Sequence, residues 1–339
     1  MHRCLQLAKL GAGNVAPNPM VGAVLVYKNS IIAEGYHQQY GQAHAEVNCI
    51  NSVKETDQSL IEKSTLYVSL EPCSHYGKTP PCADLIIKNK IPNVVIGCRD
   101  SYTEVDGKGI QKLQQAGISV ITGILKKDAL ELNKRFFTFH TKHRPYIILK
   151  WAQSADGKIA NEDFSAVKIT NEITNRLVHK WRSEEAAILI GTNTALNDNP
   201  SLTNRLWQGN NPIRLVIDRR LQLPASLYIF DGSVKTVVFN QVKSEEKSNV
   251  IFYKLPAGED MLAGLLNALH QLNIQSVLVE GGAVLLQSFI DKNCWDEATV
   301  IINEQLTIGD GINAPHLKNN SLINTEKIGS DHISFYQKI

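Results

Sequence analysis

Four residues in the first quarter of the chain have types and spacing that can do chemistry. They are His44 and Glu46 in "YGQAHAEVNCI", then Cys73 and Cys82 in "LEPCSHYGKTPPCADLII". Each of these cysteines follows a proline, and a short polar loop lies between them. Taken alone, the pair is open to three readings: a disulfide, a metal site, or two unrelated buried thiols. With His44 it supplies one imidazole and two thiolates. Three protein ligands with an open fourth position make a catalytic zinc site, whereas a closed structural site needs four. Such an ion lowers the pKa of a bound water from about 15.7 to roughly 7. Helical residues two apart point in different directions, so His44 is expected at a non-helical start and Glu46 in the first turn. Glu46 then lies over the water without binding the metal, and passes a proton to a ring nitrogen and a departing amine. The order H-x-E, then P-C…C, is the zinc nucleobase-deaminase signature. Eight residues separate the cysteines here, where the common form has two. Gly77, Pro80 and Pro81 suit a loop that holds the extra residues. Upstream, "APNPMVGAVLV" sets Asn18 between two prolines. A rigid loop with a side-chain amide suits reading a base edge, and the same pattern also makes an ordinary turn.

These groups need a scaffold, and composition bounds it. A chain of 339 residues fits two domains, at roughly 150 residues each. With 43% hydrophobic and 20% charged residues it reads as a soluble globular protein. Lys+Arg 35 against Asp+Glu 33 leaves +2, so no global field draws it to nucleic acid or membrane. The start, "MHRCLQLAKLGAGN", reads as an amphipathic helix rather than a secretory signal. No apolar run approaches the roughly 18 residues of a membrane span, so a cytoplasmic location is expected. A reducing cytosol disfavours a disulfide. The other cysteines, Cys4, Cys49, Cys98 and Cys294, have no partners at ligand spacing and read as small buried hydrophobes.

Along the chain, strands and helices alternate. A helix over about 2–12 precedes a hairpin that turns at Lys28-Asn29-Ser30. "HAEVNCINSV" reads as helix, "TLYVSL" as strand, "PCADLIIKNK" as a helix opened by Pro81, and "NVVIGC" as strand. Helix at "GKGIQKLQQAG", strand at "ISVITG" and a helix from about Lys126 to His140 follow. Pro145 marks the expected boundary, giving domains over 1–142 and 145–339. The second part reads as strands at "YIILKWAQS", "AAILIG", "IRLVID", "TVVFN", "VIFYK", "SVLVE", "EATVIIN" and "HISFYQKI". Helices are expected at "NEITNRLVHKWRS", "DMLAGLLNALHQL" and "GGAVLLQSFID", with "KSEEKSN" as a charged surface loop. Both halves are therefore α/β with largely buried strands.

The second half has no G-x-G-x-x-G after a strand. It has "SVLVEGGAVLLQSFI", a buried strand, Glu280, then Gly281-Gly282 opening a helix. Free backbone N–H groups there can receive a phosphate, and the same pattern also serves as a packing turn. "LKWAQSADGKIA" turns at Asp156-Gly157, and "ILIGTNTALNDNPSLTNR" leaves a strand into a polar loop with Thr194, Asp198 and Arg205. Ligands of parallel sheets gather at such strand ends. Arg182, at the end of its helix, reads as a phosphate clamp or an ordinary surface arginine.

"PNPMVGAVLV", "GYHQQYGQAHAEVNCI" and "LEPCSHYGKTPPCADLII" resemble the bifunctional riboflavin-biosynthesis deaminase-reductase family, in which the eight-residue spacer is characteristic. The later segments resemble its reductase half in the same order. The resemblance implies a cytidine-deaminase-like α/β/α domain followed by a dihydrofolate-reductase-like α/β domain. It implies zinc on His44, Cys73 and Cys82, with Glu46 as proton shuttle and substrate contacts from Asn18, His37, His75 and Lys78. In the second half it implies NADPH on Ala152, Thr194, Asp198 and the stretch Gly282, Ala283, Val284, Leu285, Leu286, Gln287 and Ser288, with Arg219 a weaker candidate. Substrate would meet Arg182, Leu202, Arg205 and Glu280, and Lys150 and Asp156 would line the reacting centre. The partner is then a phosphoribosylated pyrimidine, and a homo-oligomer is expected. One departure stands out: family members carry serine and tryptophan just before "IT", and here Ala166 and Lys168 occupy those places. The competing reading is a tRNA or nucleobase deaminase fused to a non-catalytic nucleotide-binding regulatory module.

Overall fold

The hairpin signal folds as its sequence dictates: Lys28 and Asn29 take positive φ of 44° and 66°, the left-handed pair of a tight two-residue turn. The structure is a computed structural model that describes residues 1–76, 80–100, 106–165, 167–256, 258 and 260–339. Its described residues divide into two units, Met1–His143 and Arg144–Ile339.

The first unit runs α1 (His2–Lys9), β1 (Gly22–Tyr27), β2 (Ser30–Tyr36), α2 (Ala45–Asn51), a 3-10 helix over Glu55–Lys63, and β3 (Thr65–Leu70). It continues with α3 (Cys82–Lys88), β4 (Asn93–Cys98), α4 (Lys108–Gln115), β5 (Ser119–Thr122), α5 (Lys126–Leu132) and α6 (Lys134–Lys142). Among the described residues its sheet has the order β2-β1-β3-β4-β5. Strand β1 is antiparallel to both neighbours, whereas β3, β4 and β5 are parallel. Ala23, Leu25, Leu66, Val68, Val94 and Ile96 bury one face of this sheet under Ala45, Cys49, Ile50, Ala83 and Ile86 of α2 and α3. Close approach of α2 requires Gly35, since a Cβ there would lie 2.2 Å from the Cys49 backbone nitrogen. The helix expected from Lys126 to His140 is two helices, broken at Asn133. The cause is visible: the Asn133 side chain is spent on the backbone of Met20, so the chain turns there to keep both bonds.

The second unit contains β6 (Tyr146–Ser154), β7 (Lys158–Asn161), α7 (Glu172–Glu184), β8 (Ala187–Gly191), α8 (Thr192–Asp198), β9 (Ile213–Ile217), β10 (Thr236–Asn240), β11 (Glu245–Lys247) and β12 (Val250–Lys254). It closes with α9 (Met261–Gln271), β13 (Ser276–Val279), α10 (Ala283–Asp291), β14 (Glu297–Asn303), β15 (Gly311–Asn313), β16 (Asn320–Ile328) and β17 (Asp331–Lys338). Among the described residues the large sheet has the order β11-β12-β10-β9-β8-β13-β6-β14-β17-β16, parallel from β12 to β14 and antiparallel at both edges. Leu262, Leu265, Leu266 and Leu269 of α9 recur at helical spacing and are buried against this sheet. Each such burial is worth roughly 1.5–3 kcal/mol, so Leu265→Ala would open a cavity at a cost of about 2–5 kcal/mol. At the entry to β6, Arg144 forks onto Asp296 at 2.6 and 2.7 Å, and the same carboxylate accepts the Ile147 N–H at 2.9 Å.

Two expectations are corrected here. The segment after "AAILIG" is the helix α8 rather than a polar loop, because "TNTAL" carries one buried alanine on an otherwise polar face, too weak a period to read. "KSEEKSN" contains the edge strand β11, which gains its order from pairing with β12 rather than from any strand propensity of its own.

Candidate active sites

His44 is the residue before α2, with extended backbone (φ −73°, ψ 168°), and Glu46 lies in the first turn, 3% exposed. Cys82 opens α3 directly after Pro81. The α3 start also reaches back to Cys73: the Cys82 N–H donates to the Cys73 sulfur at 3.3 Å, and the Ala83 N–H to its carbonyl at 3.1 Å. One ligand atom from each of His44, Cys73 and Cys82 lies within 4.8 Å of the other two. The imidazole Nδ1 is 3.5 Å from the Cys73 sulfur and 3.4 Å from the Cys82 sulfur. Zinc at ~2.3 Å from sulfur and ~2.0–2.1 Å from nitrogen, with tetrahedral angles, gives N–S edges of about 3.6 Å. The donor set therefore fits zinc in both chemistry and spacing. Cys73, Cys82 and the other four cysteines are all free, so the disulfide reading falls.

The Cys82 thiol, donating to Cys73, is the main influence that lowers the Cys73 pKa to about 4, against burial and with help from His44. Cys82 is pushed well above its usual value, first by its hydrogen bond to Cys73 and then by burial. Burial, reinforced by Cys73, pushes Glu46 up to about 7. A cation on the ligands acts on it in the opposite direction.

Around this cluster, His37 is 2% exposed and uses both ring nitrogens. Its Nδ1 donates to the Ala43 carbonyl at 3.0 Å, and Nε2 meets the Asn18 amide nitrogen at 3.1 Å. His37 thus braces Asn18 while lying beside the first ligand, its ring centroid 5.4 Å from that of His44. Asn18 and His75 are half-buried, and Lys78 lies outside the described residues. The carboxylate of Glu71 accepts from the backbone N–H groups of Asp100, Gly107 and Ile110. It went unread because a lone acidic residue before Pro-Cys has no pattern. Asn133 was hidden inside an apolar helical run.

In the second unit a cleft of about 660 Å³ opens at the carboxyl ends of β8, β9 and β13 and along β6. It is of the size that holds small ligands and cofactors. Lys150, Ala152, Thr194, Asp198, Glu280, Gly282, Ala283, Val284, Leu285, Leu286 and Ser288 line it. Gly282 has φ +60° and opens α10, while a Cβ on Gly281 would lie 2.7 Å from Ile190 Cα. That glycine pair brings the free N–H groups of α10 to the cleft wall, which suits a dinucleotide phosphate. Arg182 is no surface arginine: it pairs with Glu280 through Nε–Oε1 at 3.2 Å and Nη2–Oε2 at 2.5 Å, at 16% and 6% side-chain exposure. Burial pushes the Glu280 carboxyl up, but Arg182 and Lys150 outweigh it and hold the pKa at about 2. Burial lowers Lys150, with Glu280 opposing, and burial raises Asp198.

Six expected residues, Asp156, Arg182, Leu202, Arg205, Arg219 and Gln287, are not among those lining this cleft. Asp156 accepts from Ser154 at 2.5 Å and from the Ile308 and Gly309 N–H groups at 3.2 and 2.7 Å, so its carboxylate is spent on joining two turns. Gln287 faces Asp291 and His316, one helical position away from the cleft face. Arg219 is exposed and donates to Gln241. Leu202 is buried with φ +51°, and Arg205 donates to Ser201 and Thr203 from an exposed position. His179, which the sequence did not flag, accepts the Arg205 N–H at 3.0 Å. Asn193 and Asn197 of α8 were missed with the helix that presents them. Lys168 lines the cleft, and Ala166 lies outside the described residues.

A His/Cys/Cys cluster with a buried glutamate on the first sheet, and a glycine-hinged cleft on the second, define a zinc deaminase joined to a nucleotide-dependent reductase. Residues 1–98 match the cytidine and deoxycytidylate deaminase zinc-binding region, and residues 145–331 match the RibD C-terminal domain. The riboflavin biosynthesis protein RibD of Aquifex aeolicus is 36% identical over 351 residues, covering 100% of this chain and 97% of that one. RibD of Bacillus amyloliquefaciens is 41% identical over 306 residues, covering 88% and 81%. The crystal structure of a diaminohydroxyphosphoribosylaminopyrimidine deaminase/5-amino-6-(5-phosphoribosylamino)uracil reductase from Thermotoga maritima superposes with a TM-score of 0.90, at 36% identity over 100% of this chain and 97% of that one. The chain belongs to the RibD family of riboflavin-biosynthesis proteins. Its cofactors are zinc in the first half and NADPH in the second.

Proposed function

We propose that residues 1–142 deaminate 2,5-diamino-6-(5-phosphoribosylamino)pyrimidin-4(3H)-one, and that residues 145–339 reduce the ribosyl group of the resulting uracil to ribityl. The observation that carries the first assignment is the convergence of His44, Cys73 and Cys82 within 4.8 Å beside a buried Glu46. Zinc on these ligands supplies a water that is acidic at neutral pH. With zinc held there, Glu46 would carry one proton of the attacking water to the ring nitrogen and the second to the leaving amine, which would depart as ammonia. Asn18, placed by His37, reads the pyrimidine edge, and His75 and Lys78 meet the ribose phosphate.

In the second unit, α10 and Thr194 would seat the nicotinamide cofactor, which would supply a hydride for reduction of the sugar C1′. Lys150, raised in acidity by burial and set beside Glu280, lies at the reacting centre and moves the accompanying proton. Arg182 holds Glu280 in place and presents positive charge to the substrate side. A coupled assay tests the whole reading: ammonia release first, then NADPH consumption, on the diaminopyrimidine. Reduction of undeaminated substrate, or no reduction at all, would overturn it. The competing regulatory-module reading is not favoured, since the family match runs through both halves.

A homo-oligomer in the cytoplasm completes the proposal. The sheet edge β16 exposes Leu322 and Ile323, which supports self-association, and light scattering measures it. Among the described residues no helix is long and apolar enough to cross a membrane.

A further inference from the structure

We propose that Asn133 is a positioning residue for deamination, acting through the loop that carries Asn18. It is 3% exposed and sits between α5 and α6. Its amide oxygen accepts the Met20 N–H at 2.8 Å, and its amide nitrogen donates to the Met20 carbonyl at 2.9 Å, across 113 residues of sequence. One buried amide thus satisfies both polar groups of a single backbone residue, which fixes the position and the rotation of that peptide together. Met20 is two residues after Asn18 and two before β1.

The same loop is held from its other side. The Asn18 amide meets His37, and His37 is anchored on the carbonyl of Ala43, the residue before His44. Asn18 is therefore suspended between the segment that delivers the first metal ligand and the helix pair α5–α6. Removing Asn133 leaves the His37 contact but frees the far end of the loop. It also leaves the half-buried Met20 N–H and carbonyl without their side-chain partner, so that water takes its place and the peptide can shift. Displacements of about 1 Å at positions remote from the chemistry are enough to cost activity. Asn133 touches neither the ligands nor Glu46, so its effect is expected on substrate binding rather than on the chemical step.

The inference rests on Asn18 being a substrate contact, and a double-mutant cycle in the full-length, zinc-loaded enzyme separates the two claims. Asn18→Ala and Asn133→Ala should each raise the deaminase KM about tenfold, with kcat within about threefold. Zinc content and NADPH-dependent reduction of deaminated substrate should stay at wild-type values. The double variant should be no more than about twofold worse than Asn18→Ala alone, because both act through one side chain. Asn133→Asp, which keeps volume and the acceptor but loses the donor, should raise KM in the same way if the alanine variant folds poorly. A double variant whose KM is the product of the two single effects overturns the brace alone. An Asn133 variant that only lowers the zinc-loaded fraction, with KM at the wild-type value, overturns it as well. An Asn18→Ala enzyme with unchanged KM defeats the reading of Asn18 itself, and the brace with it.

Discussion

The two sites are built in opposite ways. In the first unit the ligand-bearing residues lie within 38 positions of one another, and each is delivered by the start of a short helix or the turn next to one. In the second, the central ion pair joins residues 98 positions apart, and the cleft draws its wall from strands and helices along most of the unit. Charge is also handled differently. The deaminase cluster places one imidazole and two thiols together, an arrangement that a cation completes. The reductase cleft is already balanced, with Glu280 held between Arg182 and Lys150. A site waiting for a metal tolerates no substitution of its ligands, while a site balanced by its own side chains fails first in stability and binding.

The sharpest way to break this comparison is Glu46→Gln. It should retain zinc yet slow ammonia release by about 10²–10⁴-fold, while NADPH oxidation on deaminated substrate is unchanged. Normal deamination by this variant would remove the proton-shuttle role, and a parallel loss of reduction would show that the halves are not independent.

Arg182→Met tests the balanced site. It leaves the Glu280 carboxylate buried beside Lys150 alone, at a cost of about 3–5 kcal/mol, read as a lower denaturant midpoint for the second unit. A midpoint within error of the wild type would mean that Lys150 suffices as the counter-charge.

Acid titration sharpens the contrast further. Burial lowers the His179 pKa from 6.5 to about 4, with Arg182 and Arg205 adding to it. The folded state holds this imidazole neutral, while the unfolded chain binds a proton below about 6.5. Stability from this group is therefore complete above pH 6.5 and is lost as pH falls toward 4. Glu280, depressed from 4.5 to about 2, adds a second loss between those values. Stability measured against pH should show the upper step vanish in His179→Gln and the lower one persist.

The smallest effect is expected from Asp156→Asn. Its bonds to the Ile308 and Gly309 N–H groups tie the turn after β6 to the approach of β15, and the β7–β15 ribbon places Ile159, Ala160 and Ile312 on the cleft. Loosening that tie should raise the KM for NADPH by about two- to fivefold and leave kcat and deamination unchanged. A large fall in kcat instead would return Asp156 to the reacting centre.

Legibility followed the same division. The zinc ligands and Glu46 were readable because metal chemistry limits the residue types, and because the H-x-E and P-C…P-C patterns are each local in sequence. The cleft was readable only in its glycine-hinged wall and a few polar positions. Helix α8, with one buried residue, carried no period to detect. Asp156, Gln287 and Arg219 had the right residue types near the right strands, and their side chains are spent elsewhere.

By itself, the amino-acid sequence determined most of the element order, the hairpin turn, and the H-x-E and P-C motifs that mark the class of reaction, all read from local pattern. Only the tertiary structure decided that Arg182 is buried against Glu280, that His37 braces Asn18, and that Asn133 breaks a helix to hold Met20. These pairings join residues 98, 19 and 113 positions apart. No local propensity encodes them, because each is chosen by the need to satisfy a buried polar group with whichever partner the packed sheets bring within reach.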